Sequence, residues 1–330
     1  MKKRLSIVAA LALAFGVSGA AHAQKHYVLS LSTWGSPKHP QVTQFVPMFV
    51  KEVEKKSHGQ ITFKVFEGGE LVKEKFVSTA IPQDVADISL SVLERWSSRV
   101  PDFEILGSPL WTWPMSKTLT DMVPGKPVFD YLNKKLEGQG AIMLAALDIG
   151  PPVVVSNFKV RKPSDLKGHT IRVYSRGTAQ IVQTLGGAPT TIGVGEVYTA
   201  LQRGTVDGAI GGLGGAVGLK YYEVAKNMFS PMGVLGSLVN GYVMNKKKFD
   251  SLPPDLQKVI IASANDARNH AQSQLISIYS KQLKQVRKAG KDVHALKPQG
   301  EEWKQWHKAI EPLIKKGEGE YPKQLVNMLR

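Results

Sequence analysis

The stretch from Asp165 to Gly212 constrains the fold more than any other part of the chain. It contains Asp-Leu-Lys-Gly-His-Thr-Ile-Arg-Val (165–173), Leu-Gly-Gly-Ala-Pro-Thr-Thr (185–191) and Gly-Glu-Val-Tyr-Thr-Ala-Leu-Gln-Arg-Gly-Thr-Val-Asp-Gly (195–208). Short apolar runs alternate with segments of helical spacing, so the stretch reads strand, helix, strand, helix, strand. That order implies parallel pairing with helices on the sheet faces. Ligands of such sheets lie beyond the carboxyl ends of the strands. One residue interrupts the apolar pattern: Arg172, inside a short strand. A guanidinium keeps its charge and presents a planar fork that fits a carboxylate, so on a buried strand it requires a partner. Two partners fit at this stage, a ligand carboxylate or an acid of the chain such as Glu196.

The same alternation occurs near the N-terminus. Val28 to Ser32 reads as a strand ending in a Trp34-Gly-Ser-Pro turn. Pro40 can open a helix, continued by Val42, Phe45, Val46, Phe49, Val50 and Val53, with Pro47 as a kink. Ile61, Phe63 and Val65 alternate as a strand, a helix follows near 73–81, and Ala86 to Leu90 forms the next strand. Trp34 and the segment 91–96 lie just past strand ends. The two α/β halves join through an extended segment at 145–155. After Pro253-Pro254, Leu256, Ile260, Ala264, Ala267, Ala271, Leu275 and Ile278 keep helical spacing up to a stop at Gly290. One helix of that length would reach about 50 Å, enough to cross two small domains; a break into two helices is the alternative. Trp303, Trp306, Ile310 and Leu313 mark a further helix.

The first residues bound the compartment. Lys2, Lys3 and Arg4 precede an apolar run from Leu5 to Ala20, and Ala21-His22-Ala23 precedes Gln24. This is the pattern of a secretory signal cleaved after Ala23, and it points to a Gram-negative periplasm. The chain of 330 residues has no cysteine, which excludes disulfides, thiolate metal sites and thiol lipidation. Its formal charge of +16 falls to +13 once three basic residues leave with the signal. A positive field concentrates anions. Nucleic acid is disfavoured by export and by the scatter of the lysines; Lys246-Lys247-Lys248 reads as a solvated face.

With these residues in view, the chain resembles the extracytoplasmic solute-binding proteins of tripartite ATP-independent periplasmic (TRAP) transporters, the DctP-type family. The resemblance rests on Trp34-Gly-Ser-Pro-Lys-His-Pro40, Gly68-Gly-Glu-Leu71, Asp165 to Val173 and Glu196 to Gly208 in that order. It implies an α/β, two-lobed periplasmic binding protein fold. Each lobe is then a mostly parallel sheet flanked by helices, with a long helix spanning both. The expected division is a signal peptide at 1–23, lobe I at 24–148 plus roughly 238–277, lobe II at 149–237 plus roughly 278–305, and a C-terminal helical segment at 306–330 packing on the lobes. The implied function is capture of a small organic acid by lobe closure and delivery to the membrane permease subunits. The protein would act as a monomer, without cofactor, catalytic residue or metal.

In this family the arginine of the Lys-Gly-x-x-Ile-Arg-Val segment clamps the ligand carboxylate, and here that position is Arg172. Arg95 resembles a second family arginine in placement. Sialic-acid-binding members carry another arginine where Pro152 stands, and an asparagine where this chain reads Ala209-Ile210-Gly211-Gly212. Both departures remove polar contacts and suggest an acid with an apolar or aromatic body, for which Gly211 and Gly212 leave space. Trp34 is expected as a flat apolar wall, with a core position as the alternative. Tyr174 shares a strand face with Arg172, where its hydroxyl could orient the acid or merely pack. Arg176, Trp96, Trp111, Trp113, Glu196 and Asp207 are expected in surface, packing or turn roles. The eight histidines form no pair at helical metal spacing, and neither a Gly-x-Ser-x-Gly elbow nor a phosphate loop occurs. A periplasmic ligand sensor for a receptor and, more remotely, an enzyme on the same scaffold are the alternatives.

Overall fold

The computed structural model describes residues 25–35, 37, 39, 41–108, 110, 122–148 and 152–329. The expectations for the leader, Pro40, Trp111 and Trp113 lie outside these residues. Eleven described strands form two sheets. Strands β1 (Tyr27–Thr33), β2 (Ile61–Phe66), β3 (Ile88–Val92), β4 (Ala141–Asp148) and β10 (Val239–Asn245) make a five-stranded sheet in the order β2-β1-β3-β10-β4. Strands β5 (Pro152–Ser156), β6 (Thr170–Val173), β7 (Ala188–Thr191), β8 (Gly208–Gly212), β9 (Asn227–Ser230) and β11 (Asp292–Ala295) make the second, in the order β11-β9-β5-β8-β6-β7.

The parallel pairings follow the alternation of strands and helices: β1 with β2 and β3, β6 with β7 and β8, and β9 with β11. Each sheet also takes in one strand that runs against its neighbours. These are β5, between β8 and β9, and β10, between β3 and β4. Both are the first strands after the chain changes sheet, from β4 to β5 and from β9 to β10. The extended join expected at 145–155 is therefore two strands in two different sheets.

Some local expectations shift. Helix Val46–Lys56 starts later than the apolar spacing suggested and follows one widened turn at Gln41–Phe45. Pro47 lies in its first turn, where a missing N–H breaks no helical hydrogen bond, so it opens the helix instead of kinking it. The helix expected at 73–81 is a tight turn, Glu74–Phe76, followed by the short helix Val77–Ala80. The strand expected at 86–90 forms two residues later. Asp87 is occupied at its entry, accepting the Ser30 amide at 2.7 Å and hydroxyl at 2.8 Å.

The long helix is a single element, Pro254–Lys288, of 35 residues. Proline sits at its start and Arg287 and Lys288 at its end, as the orphan backbone groups and the helix dipole favour. Its early residues Leu256, Ile260, Ala264, Ala267 and Ala271 are buried in the core that also holds Leu29, Leu31 and Phe49. Its far end contributes Val286 to the core behind the second sheet, with Val153, Val155 and Met228. One rod thus touches both sheets. Helix Glu301–Glu320 carries Trp306 and Ile310 into the first of these cores.

Tyr242 links the first sheet to the turn that leads to the site. It is fully buried, and its hydroxyl donates to the Phe45 carbonyl at 2.9 Å. Tyr242→Phe leaves that carbonyl without its donor. The expected cost is about 1–3 kcal/mol, read as a lower urea midpoint at unchanged slope.

Candidate ligand cavity

Arg172 is 5% exposed on β6. Two backbone carbonyls fix its guanidinium: Nε donates to Ile192 at 3.1 Å and Nη1 to Ile210 at 3.0 Å. Both acceptors lie on neighbouring parts of the second sheet, after β7 and within β8. Among the described residues, no carboxylate lies within ion-pair distance of it. The acid considered for that role, Glu196, accepts the Gly193 N–H at 3.1 Å instead. Burial lowers the proton affinity of Arg172, and the like charge of Arg95 adds to this, partly offset by the Tyr221 and Tyr174 phenols. A buried guanidinium remains charged. It therefore carries an uncompensated charge in the interior, which is costly until an anion arrives.

The guanidinium opens on a cavity between the two sheets, with about 80 Å³ available to the centres of water molecules. The first sheet's side contributes Trp34, Phe45, Glu74, Val92, Arg95 and Leu238. The second contributes Arg172, Tyr174, Val194, Gly211, Gly212 and Tyr221, and the long helix closes one side with Leu275, Ile278, Tyr279 and Gln282. All six candidate residues named from the sequence, Arg172, Arg95, Trp34, Tyr174, Gly211 and Gly212, line this one cavity.

Their settings differ. The Trp34 ring meets His39 edge-on, with centroids 4.8 Å apart and planes at 60°. Its indole Nε1 is buried without a hydrogen-bond partner, as is Nε of Arg95. Each is a donor that a ligand oxygen would satisfy. The Tyr174 hydroxyl donates to the Ser237 carbonyl at 3.4 Å. A methyl at Gly211 would stand 3.8 Å from Nη1 of Arg172, an ordinary contact. Glycine there keeps free the space that a longer side chain would fill above the guanidinium.

Other residues fall elsewhere. Arg176 is exposed and pairs with Glu104 at 3.3 Å, lining an adjoining polar cleft. Trp96 is in the core behind the first sheet. Asp207 accepts the Thr170 amide at 2.8 Å and holds the loop entering β6.

Sequence reasoning missed several lining residues. Glu74 sits in what reads as a solvated run, Lys73-Glu74-Lys75, yet its Oε1 accepts the Val92 N–H at 2.8 Å and its carboxyl borders the cavity. Burial pushes it up to about 7, against the opposing pull of the Val92 N–H and the Arg95 charge. His39 is 3% exposed, and burial lowers it to about 4, so it is neutral at pH 7. Leu275, Ile278, Tyr279 and Gln282 follow i, i+3, i+4, i+7 spacing on the long helix. That spacing signals a buried face without revealing that part of the face borders a cavity.

Comparisons with known proteins identify the family. The sequence pattern of the family described as "DctP: Bacterial extracellular solute-binding protein, family 7" matches residues 31–320. A solute-binding protein of Sulfitobacter sp. strain NAS-14.1 is 29% identical over 256 residues, which is 75% of this chain and 74% of that protein. The C4-dicarboxylate-binding periplasmic protein DctP of Rhodobacter capsulatus is 26% identical over 312 residues, 93% of this chain and 91% of its own length. Among solved structures, a TRAP periplasmic solute-binding protein from Desulfovibrio salexigens with bound orotic acid superposes with a TM-score of 0.83 at 21% identity. The match covers 92% of this chain and 97% of that one. The chain belongs to the DctP family, family 7 of the bacterial extracellular solute-binding proteins, and is a TRAP-type solute-binding protein.

Proposed function

We propose that this protein captures a small monocarboxylic acid with an apolar or aromatic body in the cavity between its sheets and hands it to the permease subunits of a TRAP transporter. One observation carries the reading. Arg172 is a buried guanidinium, anchored on two carbonyls, with no carboxylate within ion-pair distance among the described residues and one edge toward a cavity. A carboxylate placed there completes the buried pair, and most of the remaining lining is aromatic or aliphatic. The D. salexigens relative holds orotic acid, a flat ring with a carboxylate. In this reading Arg172 clamps the acid, Arg95 and the Trp34 indole N–H supply further donors, and Trp34 forms a flat wall. Gly211 and Gly212 leave room for the body of the acid.

The lobes are taken as the two sheets with their helices: 24–148 plus roughly 238–277, and 149–237 plus roughly 278–305. The change of sheet between β4 and β5, and back between β9 and β10, supports this division. The ligand closes the lobes only by its differential affinity for the closed arrangement. The periplasm is the compartment in which such a receptor meets its permease. The family and its relatives are binding proteins, and the acid is expected to leave chemically unchanged.

The test is thermal denaturation against a panel of carboxylic acids. At a hundredfold excess over Kd, ligand binding adds about 2.7 kcal/mol of stability, a rise in Tm of several degrees. A panel of aliphatic and aromatic acids that leaves Tm unmoved would count against the reading. Native mass spectrometry of the purified protein, followed by denaturing extraction, names whatever acid co-purifies.

A further inference from the structure

The cavity holds three formally charged side chains, Arg172, Arg95 and Glu74. Neither arginine is within ion-pair distance of an acid among the described residues. Glu74 is fixed by geometry: its Oε1 takes the amide hydrogen of Val92, whose side chain lines the same cavity. Arg95 attracts Glu74 and repels Arg172, so the three groups form one electrostatic unit. We propose that Glu74 sets the charge of the ligand: a singly charged acid enters freely, and a doubly charged acid enters only when Glu74 carries a proton. This rests on the reading of the cavity as a carboxylate site.

Charge balance in a poorly screened interior decides which acid enters. With Glu74 ionised the unit carries +1, and one carboxylate brings it to zero. A second carboxylate would leave −1 with no cation to meet it. With Glu74 protonated the unit carries +2, which a dianion neutralises. When ionised, Glu74 offsets one of the two guanidinium charges, which lets both arginines occupy one cavity.

The proton is available near neutrality, because burial pushes the Glu74 carboxyl up to about 7. One pH unit above that value, protonating it on binding weakens affinity about tenfold; one unit below, the cost nearly vanishes. The other charged or titratable groups bordering the cavity are Arg95, Arg172, His39, Tyr174, Tyr221 and Tyr279. Burial holds His39 at about 4 and pushes Tyr221 up to about 12, so neither changes charge between pH 6 and pH 8. Glu94 and Lys75 border the adjoining cleft, together with Arg95.

The experiment is calorimetry at pH 6 and pH 8 with two matched pairs, butanoate against succinate and 4-methylbenzoate against terephthalate. For the wild-type protein, the ratio of dicarboxylate Kd to monocarboxylate Kd is expected to be about tenfold larger at pH 8 than at pH 6. In Glu74→Gln the ratio no longer depends on pH, and dicarboxylate binding at pH 8 tightens about tenfold. A wild-type ratio that stays constant with pH overturns the assignment of Glu74 while leaving the receptor reading intact if the monocarboxylates bind. A variant that keeps the wild-type pH dependence overturns it equally. Absence of binding by both pairs at both pH values overturns the reading of the cavity as a site for such carboxylates. The wild-type arm requires no substitution, so a variant that fails to fold does not shelter the proposal.

Discussion

Arg172→Ala is expected to cost about 2–5 kcal/mol of affinity for the carboxylate ligand, roughly a thirtyfold to several-thousandfold rise in Kd. The loss follows from the setting of the side chain. It is a buried, charge-assisted donor whose orientation is fixed in advance by the carbonyls of Ile192 and Ile210. Little conformational entropy is therefore lost when the acid arrives. The unliganded protein should respond differently. The substitution leaves two carbonyls without their donors, which is destabilising, and removes an unpaired buried charge, which is stabilising. These effects oppose each other, so Tm without ligand should move little while affinity collapses. Calorimetry on the variant gives the first quantity and thermal denaturation the second. Near-native affinity would exclude Arg172 from the ligand clamp; a large loss of Tm with unchanged affinity would make it a structural residue.

Gly177→Ala is expected to weaken binding about fivefold to a hundredfold without unfolding the protein. A methyl at this position would lie 2.2 Å from the carbonyl oxygen of Gly107 and 2.8 Å from its carbon. Both partners are backbone, so neither can rotate aside. Gly107 ends the turn Pro101–Gly107 on the side of the first sheet. Gly177 lies in the first turn of helix Arg176–Thr184, directly after the strand that carries Arg172. The contact therefore joins the helix that follows β6 to a turn packed on the first sheet, beside the adjoining polar cleft. Relieving the overlap requires one of the two backbones to shift, at a cost of order 1–3 kcal/mol, which under the proposed two-lobe division falls on the closed arrangement. Since ligand affinity falls with the population of the competent state, Kd rises while each lobe keeps its core. Small-angle scattering should show the variant more extended at saturating ligand. A fall in Tm with unchanged affinity would mean instead that the contact lies inside one rigid body.

Much of this architecture is legible from residue patterns. The alternation over 165–212 and 27–90 specifies parallel strands with crossover helices, because a parallel pair needs a long connection. The spacing from Leu256 to Ile278 predicts the long helix, since apolar residues on one stripe require a buried face. Less legible is which strand enters which sheet. Pro152 to Ser156 and Val239 to Asn245 are buried on both faces, and such runs carry no direction. Their antiparallel insertion depends on partners about 60 to 150 residues away. Arg172 was visible because a charge in an apolar strand is anomalous. Glu74 was not, because a glutamate between two lysines reads as solvated and is brought to the cavity only by a turn and one backbone hydrogen bond. His39 appeared within the Trp34 to Pro40 motif, but nothing in its spacing distinguishes a cavity wall from a loop.

The position of β10 also bears on how the chain is made. It fills the slot between β3 and β4, pairing with both. Until residue 245 is in place, those two strands face each other across a gap one strand wide, with unmatched N–H and C=O groups on both sides. An N-terminal fragment ending at residue 148 thus has four of the five strands of the first sheet and lacks the one that joins β4 to the rest. Such long-range closure is slow compared with local folding. The first sheet is therefore completed only once most of the chain is in place.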